Sequence, residues 1–121
     1  MKTITFSGIV IKGKQKGKSL GFPTANISLH QKIPMGIYIS TTNYDGSTYP
    51  SISYIGNEKT LETYILDFDA DLYGKWITVE LRNQLRNSQK FDSTPELIDI
   101  IKEDEKKARE YFKIPNSKLQ I

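Results

Sequence analysis

Three residues of this chain have the types and spacing to do chemistry. Thr24 and Asn26 stand two apart in "GFPTANI", residues 21–27, and Glu62 stands in "LETYILDF", residues 61–68. Strand alternation puts side chains i and i+2 on one face, so Thr24 and Asn26 present a hydroxyl and an amide side by side. Two neutral oxygens suit Mg²⁺, which shares its coordination shell with phosphates and waters. The same two side chains also suit a plainer task, satisfying the backbone hydrogen bonds of a loop. Read as one strand, "LETYILDF" puts Glu62 on a face with Tyr64, Leu66 and Phe68. A carboxylate in that company is either the solvated end of a strand or a general base, its proton affinity raised by a partly apolar setting.

The approach to Thr24 is positive. Residues 12–23 hold four Lys, three Gly and one Pro, a loop composition. Its backbone N–H groups and Lys side chains have the chemistry to cradle phosphates, and also that of an ordinary solvated loop or of a nucleic-acid contact. "GKQKGKS", residues 13–19, falls one residue short of the phosphate-loop spacing, and no helical pattern follows, so that motif is rejected. His30 is the only His and there is no Cys. The lack of Cys excludes disulfide scaffolds, thiolate metal sites and a Cys nucleophile; a lone His forms no imidazole metal cluster, and nothing pairs with it to argue for a Ser-His-Asp set. Tyr73 and Trp76, close to Gly74, read as core or rim aromatics.

The elements that must position these groups are short. At 121 residues, 37% hydrophobic and 26% charged, the chain has the size and composition of one globular domain. The net charge of +3 is compatible with a phosphorylated ligand or a nucleic acid without demanding either. No apolar run approaches the ~20 residues that span a bilayer, and the N-terminus lacks a signal-peptide core. A cytoplasmic, membrane-free protein is the expectation. "TITFSGIVI", "GIYISTT", "STYPSISYIG", "LETYILDF" and "KWITVELR" read as strands, with another beginning at "TANI". Asp45-Gly46 marks a tight hairpin. Pro50 argues for an edge strand or a bulge. In "KWITVELR", Ile77, Val79 and Leu81 face one way. After Phe91 the period becomes helical. Ser93-Thr94-Pro95-Glu96 is a capping box, and Leu97, Ile101, Asp104, Ala108 and Phe112 form the inward stripe. Pro115 ends the helix. About six antiparallel strands followed by one amphipathic helix describe a barrel with a helix packed on it.

Taken in order, these pieces resemble the riboflavin kinase family from about Gly8 to Phe112. "SLGFPTANI" looks like its nucleotide and metal signature, "MGIY" its next strand, and "ISYIGN" the strand and turn that follow. "LETYILDFDADLYG" is similar to the segment that carries its catalytic Glu, and "LRNSQKFDSTPELIDIIKEDEKKA" to its Arg and Lys-Phe stretch and C-terminal helix. The resemblance implies a mainly β fold: a six-stranded antiparallel Greek-key barrel over about residues 3–92, a helix over about 94–112 and a short tail, in a single domain. It implies transfer of the ATP γ-phosphoryl group to the 5′-hydroxyl of riboflavin. By position, Gly13, Lys18, Gly21, Pro23, Thr24 and Asn26 would bind the nucleotide, with Gly17 helping the loop to close. Thr24 and Asn26 would hold Mg²⁺, with Mn²⁺ or Zn²⁺ as substitutes. Glu62 would be the base, and Arg86, Phe91 and Leu97 would lie on the flavin side. The implied partners are riboflavin and ATP, for a monomer that binds no nucleic acid. The sequence starts at the kinase module, so FAD synthesis is not expected. Between Gly56 and Glu62 stands only "NEKTL", shorter than the family's usual loop. Two other readings stay open: a flavin- or nucleotide-binding module with reduced catalysis, and a basic barrel for single-stranded nucleic acid.

Overall fold

The computed structural model describes residues 4–12, 21–57, 59–88 and 93–114. Gly13, Gly17, Lys18, Phe91, Pro115 and the tail beyond it, all named above, lie outside these described residues. Six strands and one helix follow in chain order. They are β1 (Ile4–Ile9), β2 (Ala25–Ser28), β3 (Gly36–Tyr44), β4 (Ser47–Ile55), β5 (Thr60–Ile65), β6 (Trp76–Arg86) and α1 (Thr94–Phe112).

All pairings are antiparallel, in the order β1-β6-β3-β4-β5-β2. β3, β4 and β5 are consecutive neighbours, and β6 returns to lie beside β3, which is the Greek-key arrangement. The ends of the sheet then approach each other. The N–H of Ile11, just past β1, donates to the Asn26 carbonyl of β2 at 2.8 Å, so the barrel nearly closes and both edges are covered.

The β3–β4 hairpin follows from two residues. Asp45 and Gly46 both have positive φ, 52° and 82°, as a turn of type I′ requires. Gly36 opens β3 for a different reason: a Cβ there would collide with the Gln84 side chain and stand 3.1 Å from the Arg86 carbonyl. Pro50 is neither on an edge strand nor at a bulge, contrary to expectation, because β4 lies between β3 and β5. It is tolerated there because the β4–β5 ladder begins one residue later, at Ser51↔Ile65, and its carbonyl accepts from the Leu66 N–H at 3.0 Å.

Strand alternation divides the core in two. Phe6, Ile27, Tyr38, Ile55, Leu61, Ile65, Ile77, Val79 and Leu81 fill the barrel. Ile37, Ile39, Ile52 and Leu66 face outward and meet Ala108 of α1. Ile77 and Val79 are 0% exposed and Leu81 is 3% exposed, as the alternation of "KWITVELR" predicts. The strand runs on to Arg86 because two register shifts against β3 absorb extra residues, the geometry of β-bulges. Helix α1 begins where expected. Ser93 is the N-cap, its hydroxyl accepting from the Glu96 N–H at 3.3 Å. It ends at Lys113, whose left-handed backbone (φ 58°) returns its N–H to the last carbonyls, so the stop is built before Pro115 is reached. Among the described residues no helix is long and apolar enough to cross a membrane.

Candidate active site

The signature segment and the Glu62 segment become neighbours through one pairing. β2 lies against β5 with Asn26 opposite Glu62 and Ala25 opposite Thr63. Residues across an antiparallel pair share a face, so Asn26 and Glu62 point the same way, while Ile27 and Leu61, both 0% exposed, point into the barrel. Thr24, just before β2, donates its hydroxyl to Glu62 Oε1 at 3.2 Å. A hydroxyl has one proton and two lone pairs. Giving the proton to Glu62 leaves Thr24's lone pairs for a cation, and Glu62 keeps Oε2. Glu62 is half-buried. On its other side in the sheet it stands opposite Tyr54 of β4.

Beside this group is a cleft of about 560 Å³. Pro23, Thr24 and Asn26 form one wall, Lys12 a second, Asp69, Asp71 and Tyr73 a third, and Thr63 also lines it. Lys12 Nζ lies 5.4 Å from the centre of the Tyr73 ring, within cation–π range. Asn26 is 5% exposed, and among the described residues its side-chain amide has no hydrogen-bond partner. As a residue lining the cleft, Asn26 can pair its amide with water or a ligand there. Gly21 (φ 91°) is exposed and opens the segment.

Thr24 is the hinge of the arrangement. It lines the cleft and also touches the carboxylate. A ligand in the cleft and a second one against Glu62 Oε2 would meet across it. Thr24 and Asn26 offer only neutral oxygens, and no group of three or more Asp, Glu, His or Cys that could hold a metal occurs among the described residues. The donor set therefore fits a hard cation that arrives with phosphate oxygens, and does not fit a preformed all-protein metal cage.

The outer face of β5 differs from its sequence reading at one position. Tyr64 does share the face of Glu62, but Phe68 does not. The strand ends at Ile65, and Asp67 takes a left-handed backbone (φ 53°). This turns the chain, and Phe68 packs edge-on against Tyr49 and Tyr44, on the barrel cluster. Tyr64 meets Phe22 of the signature edge-to-face at 5.6 Å and donates its hydroxyl to Glu105 of α1 at 3.2 Å. Burial, with Glu105 beside it, pushes the Tyr64 phenol up to about 12, so it keeps its proton at neutral pH.

The residues assigned to the flavin side fall as follows. Arg86 forms a fork with Asp104 of α1, Nε to Oδ1 at 2.9 Å and Nη2 to Oδ2 at 2.8 Å. Leu97 is half-buried in the first turn of α1, its N–H on the Ser93 carbonyl. A second ionic group was not read from the sequence. Arg109, 7% exposed, donates to both oxygens of Asp67 (2.6 and 3.1 Å) and to Glu105 (2.9 Å). A readable signal existed only for the first pair: Asp104, a carboxylate on an apolar stripe, must have a partner, and Arg86 is that partner. Trp76 and Tyr73 are rim aromatics, 59% and 55% exposed, and His30 is exposed.

Residues 1–112 match the family model described as Flavokinase: Riboflavin kinase. The bifunctional riboflavin kinase/FMN adenylyltransferase of Escherichia coli (strain K12) is 38% identical over 116 residues, which cover 88% of this chain and 37% of that protein. The chain spans well under half the length of the curated relatives it matches. In three dimensions it resembles riboflavin kinase from Trypanosoma brucei, with a TM-score of 0.68 and 28% identity over 95% of this chain and 83% of that one. It also resembles a macrolide-efflux protein from Streptococcus pneumoniae, with a TM-score of 0.81 and 30% identity over 87% of this chain and 38% of that one. Barrel, helix and signature agree with the family match over nearly the whole chain, which therefore belongs to the riboflavin kinase family.

Proposed function

We propose that this chain is a riboflavin kinase, transferring the γ-phosphoryl group of ATP to the 5′-hydroxyl of riboflavin to give FMN and ADP. The observation that carries the reading is Thr24, which lines the cleft and donates to Glu62. The nucleotide phosphates occupy the cleft, and the ribityl chain lies against Glu62. The 5′-oxygen attacks the γ-phosphorus, the bond from that phosphorus to the bridging oxygen breaks, and the hydroxyl proton passes to Glu62. Thr24's hydroxyl occupies Oε1 and leaves Oε2 to take that proton. Phosphoryl transfer asks chiefly for alignment and for neutralised charge, and a rigid β2–β5 pairing supplies the first.

A divalent ion bound with the nucleotide supplies charge neutralisation, and the Thr24 hydroxyl and the Asn26 side-chain carbonyl are the protein oxygens that would hold it. Mg²⁺ fits this donor set best, and Mn²⁺ or Zn²⁺ would substitute. Gly21 and Pro23 lie on the nucleotide side, with Gly13 and Lys18 assigned there by the family pattern. Leu97, Phe91 and Arg86 are assigned to the flavin side, Arg86 by shaping the β6–α1 seam through Asp104.

The test is direct. Purified protein with riboflavin and Mg-ATP is expected to yield FMN by chromatography. Yield no greater than that of the Glu62→Gln variant defeats the proposal. Tight flavin binding without turnover would instead support a binding module.

A further inference from the structure

Inside the barrel, five hydroxyls form a continuous chain across three strands. Thr42 meets Ser51 at 2.9 Å, Ser51 meets Ser40 at 2.7 Å, Ser40 meets Ser53 at 2.7 Å, and Ser53 meets Thr63 at 3.0 Å. The first four residues are 0% exposed and Thr63 is 1% exposed. Thr63 is also the member that lines the cleft. We infer that Thr63 determines nucleotide affinity, donating its hydroxyl proton to an acceptor group of the nucleotide bound in the cleft.

The argument is one of proton counting. Each hydroxyl carries one proton, and four links use four of the five. The fifth stays on the one hydroxyl, at any of the five positions, that donates to no other. Among the described residues none of the five has another hydrogen-bond partner. Stranded on Thr42, Ser51, Ser40 or Ser53, each 0% exposed, that proton would be buried in the interior, which is costly. A proton left on Thr63 is offered at the cleft. Burial therefore orients the whole chain from Thr42 toward Thr63, each hydroxyl donating to the next. Successive donation polarises each bond and strengthens the last donor. Asp69 and Asp71 also line the cleft and as carboxylates only accept, so Thr63 adds a neutral donor to that lining. The inference rests on the reading that the cleft holds the nucleotide.

The test is calorimetric titration of purified protein with MgADP, which needs no turnover. Thr63→Val keeps the shape and removes the hydroxyl, and is expected to weaken MgADP binding on the order of tenfold, within the reach of one hydrogen bond. Thr63→Ser is expected to restore affinity to within about threefold, since it returns the donor. Ser53→Ala, which cuts the chain beside an intact Thr63, is expected to weaken binding about threefold through lost polarisation. Wild-type affinity in Thr63→Val, or Thr63→Ser as weak as Thr63→Val, overturns the inference. Should Thr63→Val not fold, Ser53→Ala decides: unchanged affinity overturns the inference and weaker affinity supports it. FMN production with unchanged affinity in Thr63→Val removes only this inference. MgADP binding without FMN production removes only the kinase reading. No MgADP binding by the unaltered chain removes both.

Discussion

The two faces of β5 satisfy their polar groups in opposite ways. The inward face carries Leu61, Thr63 and Ile65, and its polarity is a hydroxyl tied into a neutral chain. The outward face carries Glu62 and Tyr64, and continues to Asp67, which is held by Arg109 of α1. Neutral hydroxyls can both give and accept, so they run a network through the barrel interior to the cleft at Thr63 without burying charge. The outward face meets a helix and leaves Glu62 and Tyr64 only half-buried, and there ion pairs are tolerable. A general base must change charge, and Glu62, the base proposed above, sits on the face where charge is permitted. The same face joins site to scaffold, because Tyr64 touches both Phe22 of the signature and Glu105 of the helix.

The sharpest way to break this contrast is at Glu62. Glu62→Gln keeps the shape and the contact with Thr24 but removes the proposed base. FMN formation is expected to fall by roughly 10²–10⁴-fold in kcat, measured by steady-state kinetics, with little change in melting temperature. Asp104→Ala comes next. It strips the carboxylate from a buried fork and leaves the Arg86 guanidinium under the helix, for a loss of about 3 kcal/mol and a drop in Tm of roughly 10 °C by calorimetry.

The neutral face should respond more gently. Ser40→Ala removes the middle of the hydroxyl chain, yet Ser51 keeps Thr42 and Ser53 keeps Thr63. A loss of about 1–2 kcal/mol is expected in urea unfolding, the same at every pH between about 4 and 8, since nothing on this face titrates there. Asp67→Asn is the smallest change and the one that depends on pH. Hydrogen bonding to Arg109 lowers the Asp67 carboxyl below its ordinary value. A carboxyl lowered in the folded state stabilises the protein above the unfolded pKa of about 3.9, and that contribution fades as pH falls through the lower folded value. The Asp67 side chain is 44% exposed, so the effect is at most ~1 kcal/mol. The Tm gap between wild type and Asp67→Asn should be present at pH 7 and close as pH falls below the unfolded carboxyl value of about 3.9. A gap independent of pH would show that Asp67 acts through the shape of its turn and not through its charge.

Much of the fold was legible because its signals are local. Asp45-Gly46 demands a primed turn whatever surrounds it. Ser93 and Glu96 start a helix by their own hydrogen bond, and the stripe from Leu97 to Phe112 gives its extent. Ile77, Val79 and Leu81 alternate over a regular stretch of strand. What misled was non-local. Pro50 looks like an edge residue until the short β5 is known to stop beside it. Phe68 continues the face of Glu62 on paper, but the left-handed turn at Asp67 sends it to the barrel. Arg86 reaches Asp104 past two bulges in β6 that no periodicity announces. The hydroxyl chain needed the registers of β3, β4 and β5 together. Its trace in the sequence was small hydroxyl residues at inward positions, Ser40 and Thr42, then Ser51 and Ser53.

The sequence by itself determined the chemistry on offer: neutral oxygens at Thr24 and Asn26, one carboxylate at Glu62, a Gly- and Lys-rich approach, and a strand-then-helix order. Side-chain type and local backbone preference are carried residue by residue, so they survive without coordinates. Only the tertiary structure decided that Asn26 stands opposite Glu62, that Thr24 joins the cleft to that carboxylate, and that Thr63 closes the hydroxyl chain at the cleft wall. Those facts depend on registers between strands far apart in the chain, and a one-residue slip would turn every such side chain to the other face.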